Sequence, residues 1–227
     1  MKKFIFFTLV IFFQQNFNTA LAHALHYKDL NKLVFDIYRN DHLVGQHVCI
    51  FTRNGDKLNV KNIIDFEIKK FGISLYKYFS ESTEVYLNGE LQSFLSKTNH
   101  NKKKKFVKIY KNNNNFFIEG SSYKGEAPKD FIIGTWWNHS IVQSKSQISS
   151  SSGRIIEQNV KFLGKDSLKI DQKNYKALKF NFSSSDPSLS EGKKLDTNVW
   201  YDEKTLIWIK ATFSKSGKWI YKLKNIQ

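Results

Sequence analysis

Apolar residues recur at every second position along much of this chain. From Lys57 to Lys69, Leu58, Val60, Ile64, Phe66 and Ile68 fall on one side, and Lys57, Asn59, Lys61, Asp65, Glu67 and Lys69 on the other. That is the signature of a strand with one face on a core and one in water. Leu178, Phe180 and Phe182 alternate in the same way with Lys179 and Asn181, and Val107 and Ile109 flank Lys108. Near the end of the chain, Trp219, Tyr221 and Leu223 alternate with Lys218, Lys222 and Lys224. Turn signals separate these runs: Arg39-Asn40-Asp41, Asn54-Gly55-Asp56, Asn88-Gly89, Asn112 to Asn115, Ser152-Gly153, Asp202 to Thr205 and Ser216-Gly217. Asn-Gly is a strong hairpin signal because both central residues of the tight turn need positive φ.

The pattern predicts an all-β fold, with about ten to twelve strands between Leu33 and Leu223. Short connections make sequential strands pair antiparallel. A twisted sheet of that size rarely stays flat, so the expected architecture is one antiparallel meander curled into a barrel or an open half-barrel over residues 33–227. Pro128 and Pro187, the only prolines, interrupt no strand-like run. Ala127 to Val142 is apolar and aromatic without clean alternation, and reads as a short helix or a loop that covers the sheet. Lys145 to Ser152 reads as a polar connection and Ser183 to Lys194 as a long flexible loop.

The first 22 residues carry a different signal. Lys2 and Lys3 precede the apolar run Phe4 to Phe13, and Thr19-Ala20-Leu21-Ala22 supplies small residues at a cleavage site. This is the order of a secretory signal peptide, and the run is too short to span a bilayer, which takes roughly 20 residues. The expectation is a cleaved signal over residues 1–22, a flexible segment over 23–32, and a mature protein in the periplasm. Cys49 is the only cysteine, so no intramolecular disulfide forms, and its apolar setting makes it a small core residue.

The formal charge is +16 across 227 residues. Nearly all the basic residues are lysines, with Arg39, Arg53 and Arg154 the only arginines. Attraction to an anionic membrane surface is one reading of this charge; an A/T-rich coding bias toward Lys and Asn is another. Scarce arginine argues against bidentate phosphate recognition, and together with export it excludes a nucleic-acid partner. Lys102 to Lys105, extended by Lys108 and Lys111, is the sharpest basic run.

Candidate chemistry is sparse. Trp136, Trp137, Asn138 and His139 form the densest polar-aromatic cluster. They read either as a ligand-touching lid or as a barrel plug. His47 on an inner face is a candidate ligand-orienting group, and Trp208 a candidate lining residue, alongside Phe66, Ile68, Phe180 and Phe182. His23 and His26 near the new N-terminus lack the further ligands of a metal shell. Glu81 and Glu84 are three apart, so on a strand they face opposite sides and form no catalytic pair. Motifs for a serine nucleophile, a zinc protease, a calcium loop or a phosphate loop are absent. No cofactor and no metal site is predicted.

Several segments in order, Asp41-His42-Leu43-Val44-Gly45-Gln46-His47, Glu84-Val85-Tyr86-Leu87-Asn88-Gly89-Glu90-Leu91, Thr135-Trp136-Trp137-Asn138, Val199-Trp200-Tyr201-Asp202, Leu206-Ile207-Trp208-Ile209 and Gly217 to Leu223, resemble an exported bacterial family known as domain of unknown function 6134. The resemblance implies an all-β periplasmic fold and no catalytic residues. The leading expectation is a non-enzymatic binder of a lipid or another amphipathic envelope molecule. The alternatives are a structural or interaction protein of the envelope, and a small hydrolase or isomerase using His47 or His139. A hollow interior of at least about 300 Å³ favours the first.

Overall fold

A computed structural model describes residues 27–112 and 115–227. They form a single sheet of fifteen strands. The first half of the chain gives β1 (Lys32–Arg39), β2 (His42–Asn54), β3 (Lys57–Lys70), β4 (Ile73–Leu87), β5 (Glu90–His100), β6 (Lys103–Asn112), β7 (Asn115–Gly120) and β8 (Lys124–Glu126). The second half gives β9 (Phe131–Ile133), β10 (Ser146–Ile148), β11 (Ile155–Ile170), β12 (Lys173–Ser184), β13 (Asp196–Asp202), β14 (Trp208–Ser214) and β15 (Lys218–Ile226). A 3-10 helix, His139–Gln143, lies between β9 and β10.

The strand order is β8-β7-β6-β5-β4-β3-β2-β1-β15-β14-β13-β12-β11-β10-β9. Every neighbour is also a neighbour in sequence except at the β1–β15 seam, where Leu33 pairs with Ile226 and Arg39 with Trp219. The two edges, β8 and β9, are themselves consecutive in the chain. Neighbouring strands are antiparallel, as expected, except β9 and β10, which pair in parallel because the chain from Gly134 to Lys145 crosses over between them. The sheet is thus a meander opened at one place, where Ala127 to Asp130, with Pro128, joins the edges without pairing them. The expected all-β meander is what the chain forms, and of the two expected forms, barrel or open half-barrel, it is not the closed one. Its long strands are those marked by alternation; β8, β9 and β10 have three residues each, too few for a period to register.

Hairpin turns fall where the turn signals stand. Asn40-Asp41, Asn88-Gly89 and Ser216-Gly217 all take positive φ. Three turns lack a strong dipeptide signal: Phe71-Gly72, Asn101-Lys102 and Asp171-Gln172. Phe71, Asn101, Lys102 and Asp171 nevertheless adopt positive φ, imposed by the pairing of long flanking strands.

Inward positions build the core. Leu33, Phe35 and Ile37 of β1, Cys49 and Phe51 of β2, Val60 of β3, Val199 and Tyr201 of β13, Trp208 of β14 and Leu223 of β15 are buried in one cluster. The Phe35 and Trp208 rings stack with centroids 3.7 Å apart. Each such side chain contributes about 1.5–3 kcal/mol on burial. A second cluster joins Phe94, Val107, Ile109 and Ile118 to Ile133 and Ile148, so the β9–β10 arm packs on the inner face of β5 to β7.

Two expectations are corrected. The segment expected to be flexible over 23–32 is packed where it is described. Tyr27 and Leu30 are buried, and the Arg53 guanidinium donates to the carbonyl oxygens of both. Likewise, Ser146, Gln147 and Ile148, expected in a polar connection, form a buried strand; Gln147 Nε2 donates to Gln158 Oε1 at 2.6 Å. The predicted signal peptide lies outside the described residues, as do His23 and His26.

Candidate functional site

Inward-facing positions of β3 and β4 are not uniformly apolar. On β4 the inward row runs Tyr76, Tyr78, Ser80, Ser82, Glu84, Tyr86, and on β3 Asn62 stands among Val60, Ile64 and Phe66. These polar groups divide the interior into a floor, a small polar chamber and an open hollow.

The floor is made by the chain after β9. Gly134 to Asn138 leaves the wall and crosses the interior. Glu84 anchors it on one side: Thr135 Oγ1 donates to Glu84 Oε1 at 2.8 Å and Trp137 Nε1 at 2.7 Å. Asn62 Nδ2 donates to the same oxygen at 3.2 Å, and Tyr86 OH to Oε2 at 2.6 Å. On the other side Tyr201 OH donates to Trp136 O at 3.1 Å, and the Trp136 ring meets Trp208 at 5.3 Å and Tyr221 at 5.5 Å between centroids. β4 and β13 are separated in the sheet by β3, β2, β1, β15 and β14, so the plug ties distant walls together. Tyr27 seals the floor further by accepting the His139 N–H and donating to Leu206 O. Burial pushes the Glu84 carboxyl up, opposed by its four donors.

Above the floor, His47, Asn62, Ser80, Ser82, Thr135, Trp136 and Tyr221 line a chamber of about 150 Å³. Asn62 turns its amide N–H to Glu84, which leaves its Oδ1 to face His47 Nε2 at 3.3 Å. Cys49 Sγ is 3.5 Å from the same nitrogen. Burial pushes the His47 imidazole down to about 4, so at neutral pH it is uncharged with its proton on Nε2. Burial, and then the Glu84 carboxylate, push the Cys49 thiol up, which leaves it an inert core group.

Ile64 and Tyr221 also bound the next space, a hollow of about 560 Å³. Its walls are mainly Phe66, Ile68, Leu75, Tyr76, Tyr78, Phe213 and Trp219, with Arg39, His100 and Lys215 at the rim. Phe66 stacks between Tyr76 and Tyr78, with centroids 5.8 and 5.0 Å away, and Tyr76 OH contacts His100 Nε2 at 2.6 Å. Burial, followed by Lys105, Lys103 and Lys215, pushes the His100 imidazole down. The rim is therefore an electropositive ring around an aromatic wall. Register puts the turns at 40–41, 71–72, 101–102 and 215–217 around this opening, and the turns at 55–56 and 88–89 at the plugged end.

The residues singled out by sequence are distributed unequally. His47 and Trp136 line the chamber, and Trp208 is wholly buried beside them, 5.4 Å from His47. Trp137 and Asn138 belong to the plug and face a separate cleft of about 190 Å³ on its other side. Asn138 also caps the 3-10 helix, its Oδ1 accepting from Ser140 N at 3.0 Å. His139 is buried with its ring edge-on to Tyr201 at 4.7 Å. Phe66 and Ile68 line the hollow as expected, whereas Phe182 is core. Sequence reasoning passed over Asn62, Ser80 and Ser82, and weighed Glu84 only as a catalytic partner of Glu81. The signal was present: Glu84 lies on the face opposite Glu81, the face of Tyr86 and Tyr78.

Among the described residues, no group of three or more His, Cys, Asp or Glu is placed to hold a metal, and no helix is long and apolar enough to cross a membrane. A comparison with curated protein sequences returns no match. Among solved structures, this chain resembles the crystal structure of a beta-barrel-like protein of domain of unknown function DUF1849 from Brucella abortus. The likeness has a TM-score of 0.58 at 10% identity and covers 87% of this chain and 98% of that one. At that identity it shows the fold alone. In sequence, the profile of the domain of unknown function DUF6134 matches residues 35–224, nearly the whole of the described sheet, and the chain belongs to that family.

Proposed function

We propose that this protein is an exported, non-enzymatic carrier of an anionic amphipathic molecule, held with its apolar part in the hollow and its charged group at the rim. The carrying observation is the open space of about 560 Å³ walled by Phe66, Tyr76, Tyr78, Phe213 and Trp219. It falls within the size range of small-molecule sites, which combine apolar walls with a few oriented polar groups. The rim supplies Arg39, Lys215 and, through their effect on His100, Lys103 and Lys105. Signal-like residues at the start of the chain support an address in the periplasm, where lipids are the abundant amphiphiles. A hydrolase acting through His47 has less support, because Asn62 stands between that imidazole and Glu84.

Native mass spectrometry with lipid extraction tests the reading. The expected result is a co-purifying amphiphile, a raised melting temperature with a long-chain fatty acid, and a shift in Trp219 emission. Ile64→Trp, which crowds the junction of hollow and chamber, should weaken binding at least tenfold. Absence of both a bound amphiphile and any thermal shift would sink the proposal.

A further inference from the structure

The β3–β4 hairpin differs from its neighbours at its tip. Phe71 has φ +51° and Gly72 +77°. Left-handed backbone suits glycine, and Asn or Asp among the rest. The other turns around the mouth obey this in part, with Asn40-Asp41, Asn101-Lys102 and Ser216-Gly217. Phenylalanine at such a site has no local compensation. Nor does the fold bury it: Phe71 is 91% exposed, Ile73 67% and Leu75 55%. Apart from an exposed contact with the Lys70 ammonium, the folded state on its own gains little from an aromatic ring there.

Position explains what the ring meets. Asn101 N–H donates to Lys77 O at 2.8 Å, so the adjoining β5–β6 turn stops beside Lys77. The β3–β4 hairpin continues past it to Phe71 and projects from the rim. Leu75 is both exposed and part of the hollow's wall, which makes the apolar surface continuous from tip to hollow. Ammonium groups surround it. Lys70 Nζ lies 5.6 Å from the centre of the Phe71 ring, with Lys77 and Lys102 to Lys105 behind. Among the described residues, no ion pair engages Lys70, Lys77 or Lys102 to Lys105. Lys77 stands opposite Glu67 in the β3–β4 pairing, which leaves Lys70 and Lys102 to Lys105 without a carboxylate. A protruding aromatic and aliphatic tip beside these lysines complements one kind of surface: the headgroup region of an anionic bilayer. There rings settle at the acyl boundary and lysines reach lipid phosphate.

We infer that the protein docks mouth-first on anionic lipid bilayers, with Phe71 and Ile73 inserted at the interface and the lysines of the β3–β4 and β5–β6 hairpins on the phosphates. The inference rests on the carrier reading for its purpose, since docking would let an amphiphile pass between bilayer and hollow without crossing water. It stands or falls on its own measurement. In sedimentation with phosphatidylglycerol–phosphatidylethanolamine vesicles, the protein should bind at least tenfold better than to pure phosphatidylcholine. Phe71→Asn, a substitution the left-handed turn accommodates, should reduce that binding at least tenfold while leaving the uptake of monomeric fatty acid unchanged. Phe71→Trp should show blue-shifted emission on the anionic vesicles and quenching by brominated lipid. Undiminished binding by Phe71→Asn, or a Phe71→Trp probe that stays in water, overturns the inference. So does a self-association in analytical ultracentrifugation that Phe71→Asn abolishes, which would assign the tip to a second copy of the chain. Loss of fatty-acid uptake alone would count against the carrier reading and leave the docking result intact.

Discussion

Glu84 is the residue on which the interior turns. Four donors from β3, β4 and the plug converge on its carboxyl. Such a group contributes more to the arrangement of a core than to raw stability, but removing it strands its partners. Glu84→Ala should destabilise the protein by about 3–5 kcal/mol, read as a fall in the urea midpoint. His47 supplies a pH effect of known sign. Unfolded, it titrates near its ordinary 6.5; folded, it stays neutral down to about 4. Between those values the unfolded chain binds more protons, so stability rises with pH across the window and is lost on acidification. The shift is of order 3 kcal/mol. Glu84 works the other way, since its raised carboxyl favours the fold on the acid side. Melting temperatures measured from pH 7 to pH 4 should therefore drop less steeply in His47→Gln than in the parent. An identical slope would show that another group governs the acid limb.

At the scale of elements, backbone constraints decide. A Cβ on Gly45 would lie 2.1 Å from Asp65 O and 2.5 Å from Phe66 Cα. Both obstacles are backbone, within the β2–β3 pairing where Gly45 faces Phe66. Gly45→Ala should cost about 3 kcal/mol and disturb the wall that carries Phe66, seen together as a lower melting temperature and weakened amphiphile uptake. The opposite sign holds at the tip of the β3–β4 hairpin. Phe71→Asn should stabilise the fold by about 1 kcal/mol, because it relieves the left-handed turn and removes an exposed ring. Thermal unfolding of this variant checks that the native residue there lowers stability. The elements were legible in proportion to their length. Alternation over Lys57 to Lys69 marked β3, and Asn-Gly or Ser-Gly pairs marked its kind of boundary. Position 62 shows why the site was harder to read. An inward asparagine breaks the apolar rhythm and looks like a flaw in the strand, although it is a wall of the chamber. Thr135 to Trp137 offered no period at all, since a plug that crosses an interior has neither a water face nor a repeat.

For the whole molecule, the meander has one break and one seam. At the seam, Gln227 exchanges backbone hydrogen bonds with Lys32 and accepts another from Asn31. At the break, Ala127 to Asp130 links edges that are not paired with each other. A circular permutant that joins Gln227 to Tyr27 through a short linker, so that the buried Tyr27 and Leu30 are kept, and opens between Pro128 and Lys129, should keep the sheet. Its circular dichroism and amphiphile affinity should match the parent, whereas opening at Asn62 should abolish folding. That the sheet curls was inferable from the number of one-sided strands. Which end stays open was not, because it depends on where the plug lodges, and that is set by contacts such as Glu84 with Trp137, 53 positions apart.

On the carrier reading proposed above, the plug also restricts the kind of traffic the protein could support. Trp137, Tyr27 and Tyr86 lie across one end, and the hollow opens at the other. A cargo held as proposed would enter and depart by that mouth, tail leading on the way in and head leading on the way out. Such a container would not serve as a conduit between two sides of a compartment. It would work as a shuttle that turns its mouth toward donor and acceptor in succession, with exchange gated by each encounter rather than by flow.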